Sequence, residues 1–302
     1  MHHNLALVLG GGGAVGQAWQ IGVIAGLAEA GHDLNRAADL VIGTSSGSTS
    51  AAWVRSGLSA AELLDLVLSA PSPSTPPTRS ARPAPMTALF QRLREIGAAA
   101  TSPADLQRAM GAFALESNAT FGPEVAGQRR ALVAARLPRT EWSQRPMIAV
   151  ALDAHTGELA ALDRDSGVDL VDALTASTAL PGGTPTHSVN GRHYINGGVR
   201  SADNADLASG YANVVVLSPF GGWEQRTLPP GQFEGVRRFP GTHPASQVEE
   251  LRKQGSRVEL ITPDADSLEA MGVNQMDPAT RAPSARAGHA QGRREAARVS
   301  FV

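Results

Sequence analysis

Two short stretches of this 302-residue chain hold residue types at a spacing that chemistry can use. The first is Gly43-Thr44-Ser45-Ser46-Gly47. A serine with a glycine two residues away on either side can sit on a sharp turn, its hydroxyl lifted clear of the chain as a nucleophile. A helix starting at once after it would aim its positive end at negative charge developing there. The second stretch is Gly10-Gly11-Gly12-Gly13-Ala14-Val15-Gly16. Glycines let the backbone turn sharply and point N–H groups into open space, so such a loop can hold an oxyanion or a dinucleotide pyrophosphate. Gly11-x-Gly13-x-x-Gly16 matches the dinucleotide fingerprint as a string, which by itself is a weak signal.

The elements around these stretches decide how they are read. Residues 5–9, LALVL, form an apolar run bounded by glycine and suit a buried parallel strand. Residues 17–30 have helical apolar spacing and a stop at Gly31. Residues 39–42 make a second short strand that runs straight into the serine turn, and 46–56 read as a helix ended by Gly57. This β–loop–α–β–turn–α order opens an α/β sheet. A dinucleotide enzyme needs an acidic residue at the end of the second strand to meet the ribose. Here Asp39 opens that strand and the serine turn closes it. The strand before Ser45 and the helix after it also distinguish it from an ordinary helix-capping serine.

Further along, 60–70 is an amphipathic helix, 71–85 is irregular and rich in Pro, Ser and Thr, and 86–135 alternates helical pieces with turns. Strands are expected at 147–152, 158–162, 213–218 and 257–262, and a helix at 169–178. Residues 189–198 carry an Asn190-Gly191 turn and a strand leading into Asn196-Gly197-Gly198. The Ala- and Arg-rich stretch 277–302 reads as one surface helix. With no cysteine, disulfides and thiolate chemistry are excluded, and the eight scattered histidines show no metal-ligand spacing. A net charge of −2 argues against a nucleic-acid binder. No apolar run is long enough to span a membrane and no leader pattern opens the chain, so a cytoplasmic protein is expected.

LALVLGGGGAVG, then VIGTSSGS, then a distal YINGGV resemble, in that order, the patatin-like phospholipases. Their three blocks are a glycine-rich oxyanion loop, a G-x-S-x-G elbow and a D-G-G or D-G-A motif; Ala176-Ser177-Thr178-Ala179-Leu180-Pro181 is also similar to the family. The likeness covers roughly residues 5–218. It implies a single domain over 1–302: a three-layer α/β/α fold, a helical cap at about 60–145 and a C-terminal helix at about 277–302. It also implies a serine ester hydrolase without metal or organic cofactor. Ser45 would attack an acyl ester of the lipid or lysophospholipid type, with transient contact with a membrane surface and no obligate protein partner. Backbone N–H groups of Gly11, Gly12 and Gly13 would hold the oxyanion. Gly16, Gly43, Gly47, Gly197 and Gly198 complete the motifs.

Asn196 departs from that pattern. The family places its proton-accepting aspartate there, and an amide fills the same volume without accepting a proton at neutral pH. An inactivating replacement in an active parent, a natural non-catalytic acyl-binding protein, and an Asn-Gly step that deamidates to Asp all fit. The intact glycines around the site favour the first. Val15 is a second departure, since many family members carry Arg or Lys there. His187, His193, Asp203 and Asp206 lie near Asn196 in sequence; His193 is expected to be a sheet histidine and the two aspartates capping or loop residues. Acyl transfer to an alcohol or amine would use the same residues as hydrolysis.

Overall fold

The computed structural model describes residues 4–70, 86–221, 241–299 and 301. Its centre is an eight-stranded mixed sheet. The strands are β1 (Leu5–Leu9), β2 (Leu40–Thr44), β3 (Met147–Asp153), β4 (Leu159–Leu162), β5 (His187–Val189), β6 (Arg192–Asn196), β7 (Asn213–Leu217) and β8 (Arg257–Ile261). They lie in the order β5-β6-β3-β2-β1-β7-β8, with β4 also paired to β3. Neighbours from β3 to β8 run parallel, while β6 and β4 run antiparallel to β3. All five residues of β1 and of β2 are buried, as central parallel strands covered on both faces must be.

Alternation along these strands makes three layers. Leu5, Leu7 and Leu9 of β1 point into one apolar cluster, Ala6 and Val8 into another. On the first face lie α1 (Gly13–Glu29), α3 (Ser46–Val54) and α8 (Leu170–Ser177). On the second lie the 3-10 turn Ala205–Ala208 and α9 (Pro244–Lys253). The segment expected to cap the sheet divides between the layers. Helix α4 (Ala60–Ser69) packs on α1, while α7 (Val125–Ala134) packs on α8. Helices α5 (Met86–Ala99) and α6 (Pro103–Ser117) cover Leu152 and Ile195 of the sheet. The stretch 71–85, expected to be irregular, lies outside the described residues.

Helix α1 is apolar on every side, and every residue from Val15 to Leu27 is buried. Its outer side is covered by α11 (Arg281–Glu295), which is shorter than the helix expected at 277–302 and is flanked by 3-10 turns. That helix is also half-buried, a correction to the surface helix its composition suggested. The two helices run parallel at backbone contact: a Cβ on Gly22 would collide with Ala285 O, and one on Gly288 with Trp19 O. Fully buried Trp19 satisfies its indole N–H on Gln291 Oε1 at 2.9 Å. Among the described residues no helix is long and apolar enough to cross a membrane.

Gly22→Val places three extra carbons against rigid backbone and should destabilise the protein by about 1–3 kcal/mol, read as a lower urea midpoint. A midpoint equal to that of the parent chain would show that α11 packs loosely.

Candidate functional site

Strand β3 serves as a ruler for the site. Thr44, the last residue of β2, pairs with Val150; the next residue of β3, Ala151, pairs with Asn196, the last residue of β6. The two chain ends therefore stop at adjacent levels. Ser45 follows Thr44 with φ 55° and ψ −126°, a left-handed conformation that a non-glycine residue adopts only when its surroundings impose it. The imposing contacts are close. A Cβ on Gly47 would collide with Leu9 O, so helix α3 can leave the turn this tightly only with glycine there. The Ser45 N–H donates to Ser177 Oγ at 3.0 Å, anchoring the turn to the end of α8.

Asn196 is buried and its Nδ2 donates to Ser45 Oγ at 3.0 Å. Its Oδ1 accepts the Gly198 N–H at 2.8 Å, and its own N–H donates to Ala179 O at 2.9 Å. The segment 176–181 thus holds both partners, Ser45 through Ser177 and Asn196 through Ala179. Ser177 was legible only as part of a family-like string; its part as acceptor for the Ser45 N–H depends on a pairing 132 residues long.

The glycine loop lies against this pair. Gln20 Nε2 donates to Gly10 O at 2.8 Å and to Leu217 O at 3.2 Å, and Ser50 Oγ donates to Gln20 Oε1 at 2.7 Å. One buried amide therefore ties the loop to β7 and α3. The three expected oxyanion donors are not equivalent. The Gly11 N–H is spent on Ala202 O at 2.8 Å, and the Gly12 N–H donates to the Ser46 hydroxyl at 2.9 Å, a partner that can swing away. The Gly13 N–H opens α1 and has no partner among the described residues, at φ 65°. Of the three, the Gly12 and Gly13 N–H groups are the ones not fixed to a backbone acceptor among the described residues, and they lie at the positive end of α1.

The other residues near Asn196 in sequence are engaged elsewhere. His187 Nε2 and Asp172 Oδ1 are 2.9 Å apart, and Asp172 also accepts from Arg130 Nε at 2.6 Å. Burial holds the His187 imidazole below its ordinary pKa, with Asp172 pulling the other way. Burial pushes the Asp172 carboxyl up, but the Arg130 hydrogen bond and charge outweigh it and hold it below the usual range. His193 Nδ1 meets Thr186 Oγ1 at 2.9 Å, and its ring stands edge-on to His155. Asp206 pairs with Arg200 and accepts from Gln247. Asp203 lies in a loop, as expected, and is fully buried there beneath Gly10, accepting from Ser218 Oγ at 3.0 Å. Neighbouring Asn204, at φ 52°, donates to Thr44 Oγ1 at 3.0 Å and to Gly197 O at 3.3 Å, tying the serine turn to the Asn196 turn. Among the described residues no three His, Asp or Glu side chains converge as a metal site.

The family model for the patatin-like phospholipase domain matches residues 7–209, which include the glycine loop, the serine turn and Asn196. The chain belongs to the patatin-like phospholipase family. Two solved structures are similar to it over nearly its full length. One is VipD from Legionella pneumophila, at 12% identity and a TM-score of 0.43, covering 96% of this chain and 66% of that one. The other is the type III effector protein ExoU, at 15% identity and a TM-score of 0.37, covering 98% of this chain and 54% of that one. The chain thus spans less than two thirds of the length of either. No curated protein sequence gives a significant match.

Two outcomes follow from this geometry. In an Asn196→Asp background, Ser45→Ala should abolish labelling by a fluorophosphonate, read by intact mass; undiminished labelling would place the nucleophile on another serine. In the same background His187→Gln should cost far less than the 100-fold or more expected for a lost general base. It should instead change stability. Because the folded protein holds His187 below its ordinary value near 6.5, the unfolded chain binds the extra proton first as pH falls. Stability therefore drops below that value, and His187→Gln should flatten the slope of urea midpoints between about pH 5 and about pH 7.

Proposed function

We propose that this fold hydrolyses lipid acyl esters through an acyl-Ser45 intermediate, and that Asn196 blocks turnover in the chain as it stands. The observation that carries the proposal is the direct 3.0 Å contact between Ser45 Oγ and the side chain at position 196, with no histidine between them. With aspartate at 196, one carboxylate oxygen would accept the Gly198 N–H and the other the Ser45 hydroxyl proton. Ser45 Oγ would attack the ester carbonyl as its proton passes to that carboxylate, and the oxyanion would lie on the Gly12 and Gly13 N–H groups. Collapse would expel the alcohol, which takes the proton back. Water, deprotonated by the same carboxylate, would then attack the acyl-serine and release the acid, restoring Ser45.

Asparagine reverses the polarity of this contact. Its Nδ2 donates to Ser45 Oγ, so a lone pair of the nucleophile is engaged and the hydroxyl proton has no acceptor in Asn196. Shape is kept, so a ligand can still bind and the chain as it stands is a holder of acyl esters. Both ends of the amide are hydrogen-bonded, with ψ at 126°. Attack by the Gly197 nitrogen on the amide carbon would have to break those bonds, which opposes deamidation in the folded state.

Asn196→Asp should raise ester turnover by about 100- to 10,000-fold, equivalent to about 3–5 kcal/mol of barrier, with p-nitrophenyl esters of graded chain length as substrates. If freshly prepared protein with intact Asn196 turns over as fast as the Asp variant, the proton acceptor is another group and the proposal fails.

A further inference from the structure

Ser46 joins the glycine loop to the serine turn. The fold presses these two segments together. A Cβ on Gly47 would collide with Leu9 O and lie 2.6 Å from Gly10 O, so α3 starts against the backbone of the glycine loop. A Cβ on Gly11 would lie 3.3 Å from Ser45 Cβ, so the loop passes the serine turn at van der Waals contact. Ser46 is the first residue of α3, and its Oγ accepts the Gly12 N–H at 2.9 Å. Like Ser45 it is half-buried, so the pair of serines keeps a side open to a ligand.

The direction of that hydrogen bond decides what the Ser46 hydroxyl has left to offer. A hydroxyl has one proton to donate and two lone pairs to accept with. The Gly12 N–H takes a lone pair, so the O–H bond points away from Gly12 N. Its proton reaches no acceptor among the described residues. Neighbouring hydroxyls are committed to the fold: Ser48 Oγ donates to Ser45 O at 2.6 Å, Ser50 Oγ to Gln20 Oε1 at 2.7 Å, and Thr44 Oγ1 to Asp203 O at 3.3 Å. Their protons hold the turn in place, whereas the Ser46 proton ties nothing together. Accepting from an amide N–H also polarises a hydroxyl and strengthens it as a donor.

We propose that the Ser46 hydroxyl is an oxyanion donor: it keeps accepting the Gly12 N–H and gives its own hydrogen bond to the ester oxygen that turns negative when Ser45 attacks. The proposal rests on Ser45 as the nucleophile and adds a side chain to a site otherwise built of backbone. An oxygen seated on the Gly12 N–H shares that proton with Ser46 Oγ as a three-centre bond, which brings it beside the Ser46 hydroxyl. The Gly13 N–H completes the set. No covalent bond of Ser46 is made or broken; its proton stays on Oγ and turns toward the developing charge. That charge is larger in the transition state than in the ester, so the contact speeds turnover more than it tightens substrate binding. The hydroxyl takes the place of the Gly11 N–H, which Ala202 O occupies.

The Asn196→Asp chain supplies the turnover, with p-nitrophenyl butyrate as substrate. Ser46→Ala should lower kcat by about 100-fold, the usual cost of one lost oxyanion donor, and leave KM within about twofold. Ser46→Thr keeps a hydroxyl and should recover most of the rate. Ser46→Cys, a weaker donor of similar shape, should fall between. An alkyl trifluoromethyl ketone adds to Ser45 as a tetrahedral oxyanion, whereas the matching methyl ketone reports ground-state binding. Ser46→Ala should weaken the first by the same factor as kcat/KM and leave the second unchanged. An equal loss for both ketones, or a raised KM with kcat kept, shows a brace for the Gly12 loop and overturns the proposal. Unchanged or faster turnover of Ser46→Ala also overturns it, since the hydroxyl would then merely cover the Gly12 N–H at rest. Should Ser46→Ala lower the urea midpoint, the cysteine variant decides: a rate equal to that of serine overturns the proposal. Failure of the nucleophile reading looks different. A fluorophosphonate would then leave Ser45 unlabelled in every variant, whereas failure at Ser46 leaves Ser45 fully labelled.

Discussion

The hydrogen bond between Asn196 and Ser45 joins residues 151 positions apart, and its 3.0 Å length is set by strand β3. Successive residues of that strand, Val150 and Ala151, pair with the ends of β2 and β6. A slip of one residue in either pairing would turn every side chain of the slipped strand to the other face and take one partner out of the site. The alternation that buries Val150 on one face and Ala149 and Ala151 on the other holds the register against that slip. The geometry of this pair is a by-product of core packing: the side chains that fill the two apolar layers also set the levels at which β2 and β6 end.

The same logic explains where the chain tolerates strain. Ser45, Asn190 and Asn204 are the non-glycine residues with positive φ among those described. Asn190 belongs to a two-residue hairpin turn, where such a conformation is ordinary. Asn204 and Ser45 lie at the site and are joined through Thr44, whose hydroxyl accepts from the Asn204 amide. A left-handed conformation costs about 1–3 kcal/mol at each such residue. Around these two the surroundings are rigid: a buried amide network on one side, and on the other a helix start that glycine alone permits. The strain lifts the Ser45 hydroxyl out of the β2 line, where a relaxed serine would point into a neighbouring layer.

Local signals were legible in the sequence and long-range pairings were not. The strand at Leu5–Leu9, the serine turn and the Asn190-Gly191 hairpin follow from apolar runs and turn residues, and the structure has each of them. Helices α9 and α10 (Ala265–Met271) were missed, because neither carries a long apolar stripe. The stretch before Val302 read as a surface helix because Ala and Arg dominate it. Its Gly288 and Gly292 recur at a four-residue interval, as do Gly22 and Gly26 of α1, and that shared interval was the available clue to the α1–α11 contact. The loss of the Gly11 N–H to Ala202 O had no local signal at all. Nor did the tie of His187 to Asp172, which takes a histidine near Asn196 in sequence and engages it on α8.

What remains at position 196 is a separation of shape from charge. The Asn196 side chain meets the same backbone N–H, from Gly198, that a carboxylate would meet, and its main chain is held by Ala179 irrespective of side-chain chemistry. The fold therefore has little means of sensing which of the two residues is present. Burial sharpens the difference in the opposite direction. At this buried position an amide donating to Ser45 Oγ is a satisfied, stable pair, whereas a carboxylate there would retain its charge only through the Gly198 N–H, the Ser45 hydroxyl and the nearby end of α3. The carboxylate is thus the less comfortable occupant and the better base, because the desolvation that makes its charge costly also raises its proton affinity. Stability and proton transfer ask for different atoms at one site, and the amide satisfies the first alone.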